Sequence, residues 1–389
     1  MKCITLVLGL ALLSACSQAT DQPAAPAQPA PAAQPASTPS SIPGYDIVTV
    51  GAGGAISGTI TVSGTIPKLP KRNLNKDPKV CGTAPRESQQ LLVSPTGGLQ
   101  NAIVIVEDVK KGKPIPAALL SAEIDQKNCE YTPHVTVVPA GAEIAVKNSD
   151  PILHNIHFYQ NDESLFNIAQ ANPNQVDKHT LDKAGMVYAE CDVHGWMQGH
   201  VAVVNNPYFA ITDADGKFSI ADLEAGTYKV KIWHEYLGEK TQDVAVSAKG
   251  NAALDLDLKD LLAAKKPAVE KPVTAAPADR KASGGAEVVV KMITEGGSYR
   301  FEPANLTVKA GTTVKWVNDS ENRHTATDDP KFEKKQGQAI LPAGVEAWGS
   351  PFLTGGETFS MTYTVPGKYQ YFCRNHGQFG MEGTITVTP

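Results

Sequence analysis

The sequence predicts an all-β protein of two β-sandwich regions joined by a Pro/Ala-rich linker. Three observations carry this. Gly 33 and Pro 28 in 389 residues, with aromatics at only 6%, favour turn-rich strands over long helices. Short runs of alternating apolar residues, Ile56 to Val62, Ile103 to Val106, Phe218 to Ile220, Tyr228 to Ile232, Val288 to Met292 and Thr384 to Val387, are bounded by Gly, Pro, Asn and Asp, as short sandwich strands are. No long segment shows the 3.6-residue period of a helix. An apolar content of 42% supports more than one buried core, and the net charge of −5 without a basic cluster lacks the footprint of nucleic-acid binding.

Residues 1–15 read as an export signal. Lys2 precedes a largely apolar run of ten residues, Ile4 to Leu13, about half the ~20 needed to cross a bilayer. Leu13-Ser14-Ala15-Cys16 resembles the lipobox of bacterial lipoproteins, which implies removal of Cys3 with the signal and lipidation of Cys16, the alternative being an ordinary signal peptide cut nearby. Acyl chains add about 0.8 kcal/mol of membrane affinity per buried methylene. By the same resemblance, Ser17 directs the protein to the outer membrane of a Gram-negative cell, facing the periplasm. Residues 16–52 follow as a tether: Gln18 to Pro43 is nearly all Ala, Pro, Gln, Ser and Thr, with seven prolines, too polar to fold and able to reach at most roughly 90 Å at about 3.1 Å per residue. A folded region spans 53–258, a flexible linker 259–285, and a second folded region 286–389.

The two folded regions share an internal repeat. Gly311 precedes His324 by thirteen residues, through Val314, Trp316 and Asn318; Gly141 precedes His154 by thirteen, through Ile144, Val146 and Asn148. Gly367 and Gly185 each lie six before a cysteine, Cys373 and Cys191. A histidine follows at the third position, His376 or His194, then a methionine, Met381 or Met197, and two residues on a glycine, Gly383 or Gly199. Two imidazoles, a thiolate and a thioether are the ligand set of a blue (type 1) copper site, because soft sulfur suits Cu(I) and imidazole suits both oxidation states. Zinc is the rival metal, but methionine is not a zinc ligand and structural zinc prefers more cysteines. Two coppers per chain are expected.

Residues 286–389 resemble a plastocyanin-type cupredoxin, through Phe301-Glu302-Pro303, Leu306 to Gly311, His324-Thr325-Ala326-Thr327, Pro366 to Tyr369 and Tyr371-Phe372-Cys373-Arg374-Asn375-His376-Gly377-Gln378-Phe379-Gly380-Met381. The resemblance implies a Greek-key sandwich with copper under His324, Cys373, His376 and Met381. Thr325 stands where many plastocyanins have Asn, a departure at the residue that helps hold the thiolate loop. The shorter Cys191, His194, Met197 loop is similar to that of amicyanin, as is His154-Asn155-Ile156. Around it, Ile56 to Ile60, Tyr208 to Asp213, Gly216 to Phe218, Gly226-Thr227-Tyr228 and Trp233-His234-Glu235 resemble a carboxypeptidase-regulatory-type sandwich, so the first region reads as a composite.

The remaining candidates have plainer readings. Cys81 and Cys129 lack metal-like companions apart from His134 and, in an oxidising compartment, read as a disulfide, or as two separate buried thiols. His157 reads as a solvated strand neighbour or an alternative ligand, His200 as a weaker one, and His179 and His234 as surface or packing residues. Asp213-Ala214-Asp215-Gly216 hints at calcium, but the rest of the loop is missing and a hairpin turn accounts for it.

The function expected is electron transfer without catalysis, from the solvent edges of His376 and His194 to periplasmic redox proteins such as c-type cytochromes or a copper or haem oxidoreductase, Gly377 and Gly195 letting the partner approach. The rival is an enzyme of the copper nitrite reductase or multicopper oxidase class, which also combines cupredoxin domains; those resemble one another in a His beside the blue-copper cysteine, where Phe372 and Glu190 stand here. Copper delivery usually brings Met- or His-rich tracts, whereas this chain has six Met and nine His, scattered. A third alternative keeps one copper, in the C-terminal domain, with the first region as a docking module.

Overall fold

The computed structural model describes residues 42–69, 71–74, 76–161, 163–264, 287–295, 298–320 and 322–389. Cys16, the signal segment, the tether to residue 41 and linker residues 265–286 lie outside them. Two boundaries differ from those read in the sequence. Ile42 and Tyr45 are buried, and Asp46–Ile47 pairs in parallel with Lys111–Gly112, so the last residues assigned to the tether pack on the first region. Their apolar side chains interrupt the Ala/Pro composition and find a core. Lys259–Ala264, assigned to the linker, forms a short helix, and Leu261 and Leu262 pack on the first region's core.

The first region is one sandwich nested inside another. The outer one has a sheet in spatial order Phe209–Ile211, Ile103–Val106, Gly226–His234, Gly238–Val246 and a second in order Lys217–Leu223, Gly54–Thr61, Asn251–Ala253, with Leu256–Asp257 also pairing to Gly54–Thr61. Between Val106 and Phe209 the chain departs and builds the inner sandwich. One inner sheet runs Glu163–Gln170, His154–Gln160, Gly185–Glu190, Gln198–Val204, Val135–Pro139; the other runs Val176–Leu181, Ala142–Asn148, Ser121–Lys127, Glu130–Thr132. A single apolar cluster holds Ile56, Ile60, Val104 and Ile232 of the outer sandwich together with Ile144, Val146, Phe158 and Val201 of the inner one. Ile103, Val135, Val137, Ala202 and Val204 form a second cluster at the seam. The turn at Asp213–Gly216 is not a hairpin, because its flanking strands enter different sheets. Asp213 Oδ1 accepts from the amides of Asp215 and Lys217, each at 2.9 Å, and Gly216 takes φ +78° with no room for a Cβ beside the Ile60 carbonyl.

The C-terminal domain repeats the inner sandwich. Its sheets are ordered Ser298–Glu302, Glu287–Glu295, Thr312–Asn318, Thr358–Tyr363 and Asn305–Lys309, Glu382–Thr388, Gly367–Phe372. Thr312–Asn318 is parallel to Glu287–Glu295 and antiparallel to Thr358–Tyr363, as Ala142–Asn148 is to Ser121–Lys127 and Val176–Leu181. In each copy the strand before the cysteine is antiparallel to the strand after the methionine. Alternation explains the shared strand: Ala142, Ile144, Val146 and Asn148, like Thr312, Val314, Trp316 and Asn318, point inward at every second position. His154–Gln160, by contrast, is buried at all seven positions. Ile156 and Phe158 face its core, and on its other face Tyr159 lies 5.8 Å from the guanidinium of Arg323 in the C-terminal domain. The two domains therefore touch.

Candidate metal centres

The repeated Asn sets up both centres. Asn148 ends its strand buried and donates to the carbonyls of Ile152 (2.9 Å) and Gln170 (3.0 Å); Asn318 donates to those of Asn322 and Leu353, both at 2.7 Å. Each also accepts from the amide two residues on, Asp150 or Ser320, at 3.0 Å. The loop leading to the first histidine is thus pinned identically in the two copies.

The structure brings His154, Cys191 and His194 together, with the two imidazole Nδ1 atoms 3.0 Å apart and Cys191 Sγ 3.8 Å from His194 Nδ1. It does the same with His324, Cys373 and His376, with Nδ1 to Nδ1 at 3.0 Å and Sγ 3.7 and 3.5 Å from the two nitrogens. Met197 and Met381 are fully buried in the cores that hold these cysteines. The loops close alike: Cys191 N donates to the Met197 carbonyl and Cys373 N to that of Met381, both at 3.1 Å. Metal–imidazole bonds of about 2.0–2.1 Å and a metal–sulfur bond of about 2.3 Å, opening angles of about 95–120°, place two nitrogens roughly 3.0–3.6 Å apart and nitrogen and sulfur roughly 3.3–3.8 Å apart. Both donor sets fit such an ion, and the added methionines suit copper.

All six donors of the two clusters are at most 1% exposed, and burial sets their charge states. It holds His324 down to about 3 and His194 to about 4, the latter against the pull of Asp77. His376 sits well below the usual range through burial and then His324. His154 is lowered by burial and partly restored by Asp150. The imidazoles are therefore neutral, with a lone pair free for a cation. Burial pushes the Cys191 thiol up to about 11 and raises Cys373 as well, so each becomes a thiolate when a cation arrives and a proton leaves.

The outer contacts differ between the centres. His154 Nε2 meets Asp150 Oδ2 at 2.9 Å, and His194 Nε2 meets Asp77 Oδ2 at 2.8 Å. In the C-terminal domain His324 Nε2 meets the Thr294 hydroxyl at 2.9 Å, and the His376 ring lies under Tyr299 with centroids 3.9 Å apart and planes at 9°. Thr325 takes over the clasp that Asn155 performs: Asn155 Oδ1 accepts from Asp192 N at 2.7 Å and Thr325 Oγ1 from Arg374 N at 2.9 Å. The departure from Asn at this position leaves the thiolate loop tied.

Cys81 and Cys129 are joined, S–S 2.00 Å. His157 is not solvated; it is buried among Asp192, Ser164, Tyr159 and Asn167 and stands outside the metal cluster. His134 and His200 share the carboxylate of Glu235. His179 stacks on Phe166 and His234 is buried. The expected solvent edges are absent too: His194 and His376 are 0% and 1% exposed. The closeness that Gly195 permits serves the other domain of the same chain, since a Cβ there would fall on the Asn322 amide. Gly377 packs against Gln338 and Phe372.

Asp77, Asp150, Thr294 and Tyr299 escaped the sequence reading. Asp150, four residues before His154, had a local signal; the other three had none.

Comparison with known proteins adds two family matches. Residues 288–388 match the model of copper-binding proteins of the plastocyanin/azurin family, and residues 185–254 match polysaccharide lyase family 4, domain II. Plastocyanin of Scenedesmus fuscus is 36% identical over 101 residues, covering 26% of this chain and 99% of that protein. Chloroplastic plastocyanin of Chlamydomonas reinhardtii is 34% identical over 106 residues, covering 26% and 68%. Among solved structures, the oxidised plastocyanin of Dryopteris crassirhizoma is 24% identical with a TM-score of 0.21, covering 26% of this chain and 100% of that one.

Proposed function

The chain belongs, through residues 288–388, to the copper-binding plastocyanin/azurin family, and from that premise we propose that it carries single electrons between redox partners on two blue copper centres. His324, Cys373, His376 and Met381 hold one ion; His154, Cys191, His194 and Met197 hold the other. The observation that carries the second centre is its donor geometry, the same 3.0 Å imidazole pair beside a buried cysteine, since the family match ends at the C-terminal domain. Copper bound there supplies a one-electron couple. The chain's own residues keep the imidazoles neutral, exclude water, and brace the thiolate loop through Asn155 and Thr325, which limits rearrangement when charge changes.

The same reading places the protein on a membrane through Cys16, exported and facing the periplasm, at the outer membrane in a Gram-negative cell, with c-type cytochromes or a copper or haem oxidoreductase as partners. Copper delivery is disfavoured by ligands that are 0–1% exposed, leaving no donor for a receiving protein to attack first. The test is to load the purified chain with copper, count metal per chain, and record visible and spin-resonance spectra beside Cys191→Ser and Cys373→Ser. Two coppers, with one blue centre lost in each variant, supports the proposal. One copper, indifferent to Cys191→Ser, leaves a one-copper carrier with a docking module.

A further inference from the structure

The ligand loops of the two centres meet across the contact between the domains. Tyr299, on the strand Ser298–Glu302, donates its hydroxyl to the carbonyl of Asp192 at 2.5 Å. Asp192 follows Cys191 directly, while the same tyrosine ring lies flat on His376. One side chain therefore touches the backbone of the residue after one thiolate ligand and the imidazole of the other centre. Around it, Asn375, two residues after Cys373, donates to Glu190 Oε1 at 3.2 Å, beside Cys191. Arg323, next to His324, stands 3.5 Å from the centre of the Tyr188 ring, a cation–π contact that strengthens when water is excluded. Asn322 fills the space left by Gly195, next to His194. Tyr299, Asn375, Glu190 and Tyr188 are all buried.

We propose that the chain passes electrons internally between its two centres, along Cys191, the Asp192 peptide, the Tyr299 hydrogen bond and the ring stacked on His376. The proposal rests on the reading that both centres take copper. With both donor sets loaded, the bound ions would supply the redox couple, one centre being oxidised from Cu(I) as the other is reduced from Cu(II). One electron moves, no bond forms or breaks, no proton is transferred, and no co-reactant is required. Tyr299 is a positioning residue that remains unoxidised. Packing alone would accept phenylalanine, which stacks equally well on an imidazole; the hydroxyl is what closes the gap to the Asp192 carbonyl. With both imidazole edges covered, the neighbouring centre is the acceptor already within contact.

The test uses the full chain loaded with copper. A radical pulse delivers less than one electron per chain, and the blue absorptions then report its redistribution between centres, identified by the spectra of Cys191→Ser and Cys373→Ser. Wild type should show a phase whose rate does not depend on protein concentration. Tyr299→Phe keeps the stack and removes the hydrogen bond, so the phase should slow; Tyr299→Leu removes both, so it should be lost. Copper count and spin-resonance spectra are recorded for each variant, and Tyr299→Phe should retain two blue centres. In metal-free protein, hydrogen exchange over residues 188–198 reads the docking itself and should quicken in Tyr299→Leu. Two coppers with a phase unchanged in Tyr299→Phe and Tyr299→Leu, or one that accelerates with concentration, overturns the internal route alone. One copper per chain overturns the two-centre reading beneath it.

Discussion

Removing the Cys81–Cys129 bridge should weaken the N-terminal centre and leave the C-terminal one intact. The bridge closes a loop of sequence separation 48, and on the chain-entropy model a loop of that length contributes about 4 kcal/mol. Its position ties this stability to the metal site. Cys129 N donates to Asp150 Oδ2 at 2.7 Å and Asn128 N to Asp150 Oδ1 at 2.8 Å, which fixes the carboxylate that meets His154. On the other side Cys81 ends the short helix Pro78–Cys81, whose Val80 and Cys81 amides donate to the Asp77 carbonyl at 3.0 and 2.9 Å, and Asp77 is the carboxylate that meets His194. One covalent link thus steadies the outer partners of both imidazoles. In Cys81→Ser/Cys129→Ser, calorimetry should show the first region's transition falling by about 8–16 °C, at about 2–4 °C per kcal/mol for a region of this size. A competition titration should show copper affinity at the N-terminal centre falling by about 10–100-fold, the usual cost of losing such outer partners. Equal loss at the C-terminal centre, or a transition within about 2 °C of wild type, a shift worth only about 1 kcal/mol, would refute the reasoning.

Asp77→Asn should raise the reduction potential of the N-terminal centre, because an anionic carboxylate on His194 makes the imidazole a better donor to Cu(II); a redox titration followed at each blue band should show the C-terminal potential unmoved. Asp328, fully buried with Oδ2 unpartnered, has its carboxyl pushed up by burial from 3.8 to about 7. Its folded form therefore prefers the proton: the favourable contribution is complete below about pH 3.8 and is lost as pH rises through 7, a swing of about 4 kcal/mol at 1.36 kcal/mol per unit. Asp328→Asn should flatten that dependence, read by urea unfolding of the C-terminal domain at pH 4 and pH 8, and an unchanged pH slope would exclude Asp328 as its source.

The two clusters of candidate donors were legible because metal chemistry imposes residue types at short, fixed spacings, and two copies of one pattern reinforce each other. The strands were legible for a similar reason: the inward alternation of Val314, Trp316 and Asn318 is written at period two. What the sequence did not disclose is long-range. Tyr299 meets Asp192 across a separation of 107 residues, and Asp77 meets His194 across 117; neither tyrosine nor aspartate carries a local pattern that announces such a partner. The expected solvent exits at His194 and His376 failed for this reason, since glycine beside a ligand signals close approach without saying by what. The nesting of sandwiches was half visible, in composition on either side of the inner unit, but the joints near Val106 and Phe209 depend on pairings between distant strands.

The two copies have diverged where it matters for traffic. The inner fold, the pinned Asn loop, the imidazole pair and the clasp on the thiolate loop are held in common, and within the ligand sets the difference is the His–Met spacing, three residues against five. Their surroundings differ too. Carboxylates back both imidazoles of the N-terminal centre, whereas a neutral hydroxyl and an aromatic ring back those of the C-terminal one. Negative charge beside the imidazoles favours the oxidised ion, through buried Asp150 more than through Asp77, whose side chain is 40% exposed and screened by water, so with copper in both centres the electron would run from the N-terminal centre towards the C-terminal one. Along the proposed route the Cys191 side is then the donor and the Tyr299–His376 stack the entry to the acceptor. On the proposal that both centres take copper, it is the difference in outer partners, two carboxylates against a hydroxyl and a ring, that would order the pair.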